Sequence, residues 1–202
     1  MSRNTGSTWK KSRRLGFSIL ETGEELTRRN YVPGQHGNAR RAKLTNYGLQ
    51  LQEKQRIRHT YQLSEKQFYN TYIKASKRPG PSGENLLVML ESRLDNLVYR
   101  MGFARTRRGA RQLVNHGHYT VNGKSVNIPS YLVDVNDVIA VSEKSSSNNR
   151  FKKMKEDDAF IAAPKWLERD KNTLSGKVIA LPARDDIDFE IAENLIVELY
   201  SK

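Results

Sequence analysis

The chain of 202 residues contains no cysteine. That removes disulfide bonds, thiol nucleophiles and thiolate zinc sites. Histidine is scarce, at four residues. His116 and His118 stand two apart, a poor spacing for two ligands on one helical face, so no metal and no cofactor is expected. No apolar run reaches the roughly 18 residues of a membrane-spanning helix. The N-terminus lacks an apolar signal region, which points to the cytoplasm, and no amphipathic helix with a large aromatic face suggests a membrane surface. There is no glycine-rich phosphate loop, no GxSxG and no metal-ligand spacing. Asp185, Asp186 and Asp188 read as partners of a helix dipole at a helix start; no nucleophile, base or histidine lies near them in sequence to make paired catalytic acids. The chain is expected to bind, not to catalyse.

Positive charge is what the chain has in excess, a net +13. An imbalance of that size points to a polyanionic partner, most simply nucleic acid. By segment the net charge is +7 over residues 1–45, +3 over 46–91, +5 over 92–150 and −2 over 151–202. The partner-facing surface is therefore expected in the first three quarters. Hydrophobic residues make up 37% of the chain, enough for small cores.

Residues 92–142 organise the rest, reading as helix, turn, helix, hairpin and strand. On a helical wheel with Arg107 at zero, Arg111, Asn115, Arg108 and Gln112 fall near about 40°, 80°, 100° and 140°. Ala110, Leu113 and Val114 fall on the other side. One face can dock on the preceding helix, while the other offers three guanidiniums and two amides. Guanidinium forks match phosphate oxygens, and amides suit base edges and hydroxyls. Thr106 can cap this helix. Tyr119–Val126 reads as a hairpin around Asn122-Gly123, with Lys124 just past the turn. Asp134–Val141 gives a further strand.

Residues 1–45 have little hydrophobic periodicity. Basic pairs (Lys10-Lys11, Arg13-Arg14, Arg28-Arg29, Arg40-Arg41) alternate with glycines and with Trp9, Phe17 and Tyr31. Such a segment predicts an extended arm that orders on RNA, its rings stacking on bases and its cations holding phosphates. Helices are expected over Tyr47–Gln62 and from Ser64, where Ser-Glu-Lys-Gln forms a capping box. Lys77–Gly83 is a loop. Leu86, Leu90, Leu94, Leu97 and Met101 predict one long helix over Glu84–Met101, closed by Gly102. Ser142–Asn149 reads as a connector. Arg150, Lys152, Lys153 and Lys155 form a second basic cluster at a helix start, as readily a solvated surface as a binding one. Loop and strand follow over 164–182, and an amphipathic helix over Asp188–Tyr200.

The expected architecture is α+β. It comprises a basic N-terminal arm (1–45), a mainly helical domain (46–91, joined by 151–202), and an RNA-binding module (92–150) of two helices with a short antiparallel or mixed sheet.

Several stretches together resemble the small ribosomal subunit protein four family, of bacterial type, over essentially the full length. They are Lys11-Ser-Arg-Arg-Leu-Gly16, Tyr31-Val-Pro-Gly-Gln-His-Gly37, Tyr47–Gln55, Leu90–Arg100, Ala104–Arg108, Ala110–His118, Ile128–Tyr131 and Glu193–Ser201. Residues 92–150 also resemble a small RNA-binding module shared with some RNA-modifying enzymes and synthetases. The resemblance implies a cytoplasmic ribosomal protein that binds small-subunit ribosomal RNA early and nucleates assembly of the subunit body. It further implies contact with small-subunit protein five, associated with decoding accuracy, and proximity to messenger RNA. The RNA-binding positions it implies are Lys11, Arg13, Arg14, Arg93, Arg105, Thr106, Arg107, Arg108, Arg111, Gln112, Asn115, His116 and Lys124. Many relatives bind zinc through N-terminal cysteines; their absence here means that the metal is not carried over. Two alternatives carry a similar module. A pseudouridine synthase-like enzyme would need a catalytic domain larger than the flanks allow, and a helix-turn-helix regulator fits the hairpin and the basic arm less well.

Overall fold

A computed structural model describes residues 6–39, 43–156, 163–170, 172–187 and 189–201. The chain divides into two compact units, residues 1–86 with 189–202, and residues 87–188. The Arg40-Arg41 pair, the Lys155 side chain and Asp188 lie outside the described residues.

The first unit begins with α1 (Thr8–Leu15) and the single turn α2 (Glu24–Thr27). The Ser7 side chain caps α1, and Gly16 ends it at φ 59°, a left-handed conformation that glycine adopts without strain. Residues 6–39 are not the extended arm their composition suggests. Ser12, Leu15, Ile19 and Glu25 are buried. The Glu25 carboxylate accepts from Ser18 Oγ at 2.9 Å and from the Leu20 amide at 3.4 Å, and Ser12 Oγ accepts from the Ile19 amide at 3.2 Å. Short polar side chains here do locally what apolar periodicity does elsewhere, so a reading by periodicity misses them. Gln52 Nε2, on α3 (Asn46–Thr60), donates to the Leu15 carbonyl at 2.8 Å and ties the segment down.

Next comes α4 (Glu65–Ser76), which starts at the expected capping box: Ser64 Oγ accepts from the Gln67 amide, and Gln67 Oε1 from the Ser64 amide. The C-terminal helix α10 (Glu193–Tyr200) returns to pack on α3. The Tyr200 ring lies 4.7 Å from Tyr72 and 5.3 Å from Tyr69. Phe189 meets Phe17 and Tyr61 edge-on, each at 6.2 Å. Residues 189–202 group with the helical unit, whereas residues 151–188, expected there as well, group with the other.

In the second unit the expected long helix is two. α5 (Ser82–Glu91), within which the units divide, ends before Ser92; α6 (Leu94–Arg100) begins after Arg93. Arg93 is extended (φ −70°, ψ 137°) and pairs with Leu132 as an isolated bridge. The Leu94 and Asp95 amides donate to the carbonyls of Tyr131 (2.9 Å) and Pro129 (3.2 Å), and Val133 N–H donates to the Ser92 carbonyl at 3.0 Å. Leucines four apart stay in phase across this break, so a period alone could not reveal it.

Then follow α7 (Arg107–Asn115) and strands β1 (Tyr119–Val121), β2 (Lys124–Ser125) and β3 (Val138–Val141). After them come α8 (Glu143–Ser146), α9 (Asn149–Glu156), β4 (Leu167–Asp170), β5 (Ser175–Val178) and a 3-10 turn at Arg184–Asp186. The hairpin turns at Asn122-Gly123, both at positive φ (50° and 77°). The sheet is antiparallel throughout, in the order β2-β1-β3-β5-β4. Because β5 pairs with β3, the sheet reaches past the expected module end at residue 150. Asp134–Asp137, expected as strand, is a turn in which the Asp137 amide donates to the Asp134 carbonyl. α8 occupies part of the expected connector. Leu94, Leu97, Met101, Phe103, Val114, Tyr119, Ile139 and Phe151 fill the core between helices and sheet.

Candidate nucleic-acid interface

The interface candidate is built on α7. Its inner side, Ala110, Leu113 and Val114, is buried in the module core as the wheel predicts. Its first turn is closed by Thr106, whose hydroxyl accepts from the Gly109 amide at 3.1 Å. Thr106 is exposed, but its oxygen serves the helix end, leaving the hydroxyl proton for a ligand. Arg105, Arg108, Gln112, Asn115 and His116 are exposed along or beside the helix, and Lys124 is exposed at the hairpin.

The three guanidiniums expected on one open face are divided. Arg107 is only 8% exposed. Its Nε donates to Asn96 Oδ1 at 2.8 Å, and its guanidinium lies 4.4 Å from the centre of the Tyr99 ring. Arg111 is half-buried and donates through Nε and Nη2 to Asp95 Oδ2, at 2.8 and 2.7 Å. Arg108 alone of the three is exposed. Arg93, also expected at the interface, is 5% exposed and forks onto both Asp95 oxygens at 3.0 Å. The reason is α6, which lies under α7 and carries acceptors as well as leucines. Asn96 donates to Glu91 Oε2 at 2.6 Å, and Arg100 grips the same carboxylate through Nε and Nη2.

Asp95 therefore faces Arg93 and Arg111, and Glu91 faces Arg100, while Arg107 is held by Asn96 and the Tyr99 ring. The carboxylates fix the orientation of the guanidiniums they pair with. Arg108, Lys124 and the amides of Gln112 and Asn115 are exposed, and a phosphate backbone favours such a surface. Glu91, Asp95, Asn96 and Tyr99 are organisers that sequence reasoning passed over. Their signal was Glu91 and Asp95 four apart in a stretch read only for its leucines.

Arg150 is the second omission from the site residues. Its Nη2 would come within 3.9 Å of a side chain placed on Gly109, so it stands beside the first turn of α7. His118 Nδ1 is 2.9 Å from Ser145 Oγ. Burial holds the His118 pKa below its usual value, with help from His116 and Arg150. Its ring is 6.1 Å from that of His116. Lys144, Lys152 and Lys153 are exposed on α8 and α9. Among the described residues no three of His, Asp or Glu gather as a metal site, and no helix is long and apolar enough to cross a membrane.

The first unit has its own cations. Arg14 is exposed. Arg13 Nε donates to the Tyr31 carbonyl at 2.9 Å, with the guanidinium 4.7 Å from that ring. Lys11 is half-buried and adds to the field at His59. Trp9, Thr22, Glu24, Thr27 and Arg28 line an open groove of about 410 Å³.

Comparison with known proteins now bears on these surfaces. Residues 3–91 match the family model "Ribosomal protein S4/S9 N-terminal domain", and residues 92–139 match "S4 domain". The chain is 54% identical over 202 residues to small ribosomal subunit protein uS4 of Listeria monocytogenes serotype 4b (strain CLIP80459), covering all of both chains. To the protein of that name from Acetivibrio thermocellus it is 56% identical over 209 residues, again covering all of both. The chain belongs to the small ribosomal subunit protein uS4 family. In Geobacillus sp. (strain WCH70) the uS4 protein is 54% identical over 202 residues, with full coverage of both. The second family model spans α6, α7 and the hairpin, where the guanidinium network and the exposed cations lie. The relatives bear the name of a ribosomal protein, and neither an RNA-modifying enzyme nor a DNA regulator is supported.

Proposed function

We propose that the chain is a non-enzymatic structural constituent of the small ribosomal subunit, in the cytoplasm, binding ribosomal RNA through the outer side of α7 and the β1–β2 hairpin. The observation that carries this reading is the set of exposed residues Arg108, Gln112, Asn115, His116 and Lys124 on and beside α7 and at the hairpin. Arg105 and Arg150 flank that surface, and Lys11, Arg13 and Arg14 extend binding to the first unit. Arg93, Arg107 and Arg111 act by holding the shape of that surface. Early binding that nucleates the subunit body fits a protein whose cations are organised before RNA arrives, since less ordering then opposes association.

Small-subunit protein five is the protein partner we favour. Val135, Val138 and Ile179 are 38%, 42% and 50% exposed around the β3–β5 pairing, an apolar strip suited to a protein neighbour. Through that contact the chain supports decoding accuracy, and messenger RNA is a further ligand. Weakened capture of protein five by Val138→Asp would support the docking site; unchanged capture would remove it.

RNA titration at several salt concentrations tests the main reading. Replacing Arg108 and Lys124 by Ala is expected to weaken binding and to reduce the salt slope by roughly 0.7–0.9 for each phosphate no longer neutralised. Replacing Arg107 by Ala is expected to lower stability and leave the slope as it was. A slope unmoved by the first pair would place the interface elsewhere. Co-sedimentation of the chain with small subunits in low and high salt tests membership of the particle.

A further inference from the structure

The hairpin turn holds the dipeptide Asn122-Gly123, a chemically labile pair in an unstructured chain. The backbone nitrogen of glycine, with no side chain in the way, attacks the asparagine Cγ. A C–N bond forms, ammonia leaves, and water opens the resulting succinimide to aspartate or isoaspartate. Asn122 is exposed, so solvent reaches it.

Its carboxamide, however, is held at both ends. Oδ1 accepts from the Val138 amide at 2.9 Å. Nδ2 donates to Asp137 Oδ1 at 2.7 Å. The Asn122 backbone N–H donates to the Val138 carbonyl at 2.9 Å, so backbone and side chain both bond to the start of β3. Asp137 is fixed in turn: its Oδ2 accepts from the Asp134 amide at 3.0 Å, and its carbonyl accepts from Val178 N–H at 3.1 Å. Attack by Gly123 needs the carboxamide to swing away from β3, breaking two hydrogen bonds, one of them to an ionised acceptor.

We propose that Asn122 is a deamidation site gated by the fold, and that Asp137 is the residue that keeps it closed. The reaction, once it occurs, is irreversible. The product carboxylate has no proton to give Asp137 and faces a like charge at hydrogen-bonding distance, so the clamp does not re-form. Isoaspartate also adds a backbone carbon to the turn and spoils the Val121–Lys124 pairing. Lys124 would then leave its place beside the turn.

The test uses the full chain, incubated at mildly alkaline pH and digested with trypsin. The fragment Gln112–Lys124 is followed by mass spectrometry for conversion of amide to acid. Conversion at Asn122 is expected to run roughly tenfold or more slower in the native protein than in urea, from the net worth of the two bonds. Asp137→Ala is expected to speed the native reaction severalfold and leave the rate in urea unchanged. Asp137→Asn, which can keep only one of the two acceptor contacts and loses the charge, should convert at a rate between those of the original and of Asp137→Ala. Should Asp137→Ala fail to fold by circular dichroism, Asp137→Ser replaces it; its short hydroxyl can still take the Asp134 amide but cannot reach Asn122. Native conversion as fast as in urea, or a folded Ala or Ser variant converting at the original rate, overturns the proposal.

Discussion

Asp95 shows how much of this molecule rests on single side chains. It is 5% exposed and receives Arg93 and Arg111 together. Removing it takes the carboxylate from two cations, one of them nearly buried, and breaking such a pair costs about 3–5 kcal/mol. Asp95→Ala is expected to lose that much in urea unfolding, where a loss under about 1 kcal/mol, the usual worth of an exposed ion pair, would show the cluster to be solvated. His59 offers a second check, in pH. Burial, and then the charges of Arg58 and Lys11, push its pKa from the usual 6.5 down to about 4. Folding therefore favours the neutral ring. Its contribution is whole above about pH 6.5 and drains as the pH falls toward 4. His59→Gln should flatten the stability profile over that interval and leave it unchanged above. Neither role was legible in the sequence: the identities of Asp95 and His59 were plain, but burial depends on partners far along the chain.

At the scale of elements, what could be read follows from where the determining interactions lie. The capping box at Ser64, the Thr106 cap and the Asn122-Gly123 hairpin are decided within four residues, and all three stand where the sequence puts them. The break at Arg93 is decided by Tyr131 and Leu132, nearly forty residues on, and leucine spacing hid it. The N-terminal segment was misread for the opposite reason: its small core is made by Ser12, Ser18 and Glu25, residues that apolar counting ignores. Gly176, in β5, shows another long-range demand. A Cβ there would meet Met101 Sδ at 2.7 Å and the Glu168 carbonyl at 2.9 Å. One of those neighbours is backbone, so relief requires moving β4. Gly176→Ala is expected to destabilise the second unit by about 1–3 kcal/mol through overpacking, read as a lower thermal midpoint. An unchanged midpoint would mean that β4 yields freely.

For the whole molecule, the deciding fact is that one unit is continuous in sequence and the other is not. Residues 87–188 carry a complete antiparallel sheet and a core from Leu94 to Val178. The other unit needs residues 189–202 to cover α3, with Phe189 against Tyr61 and Tyr200 against Tyr72. From the sequence the whole of residues 151–202 is expected with the helical part; a loop and a strand are legible over 164–182, but not that β5 pairs with β3 and so keeps β4 and β5 in the second unit. A fragment of residues 87–188 should therefore fold alone, with dispersed amide resonances and cooperative unfolding, because a domain of about a hundred residues can bury a sufficient core. Residues 1–86 alone should lack cooperative unfolding and gain it when a peptide of residues 189–202 is added. The folded 87–188 fragment should still bind RNA with a salt slope lower than that of the full chain, by the phosphates that Lys11, Arg13 and Arg14 would otherwise neutralise. Equal slopes for fragment and full chain would confine RNA binding to the second unit and leave the first as a scaffold.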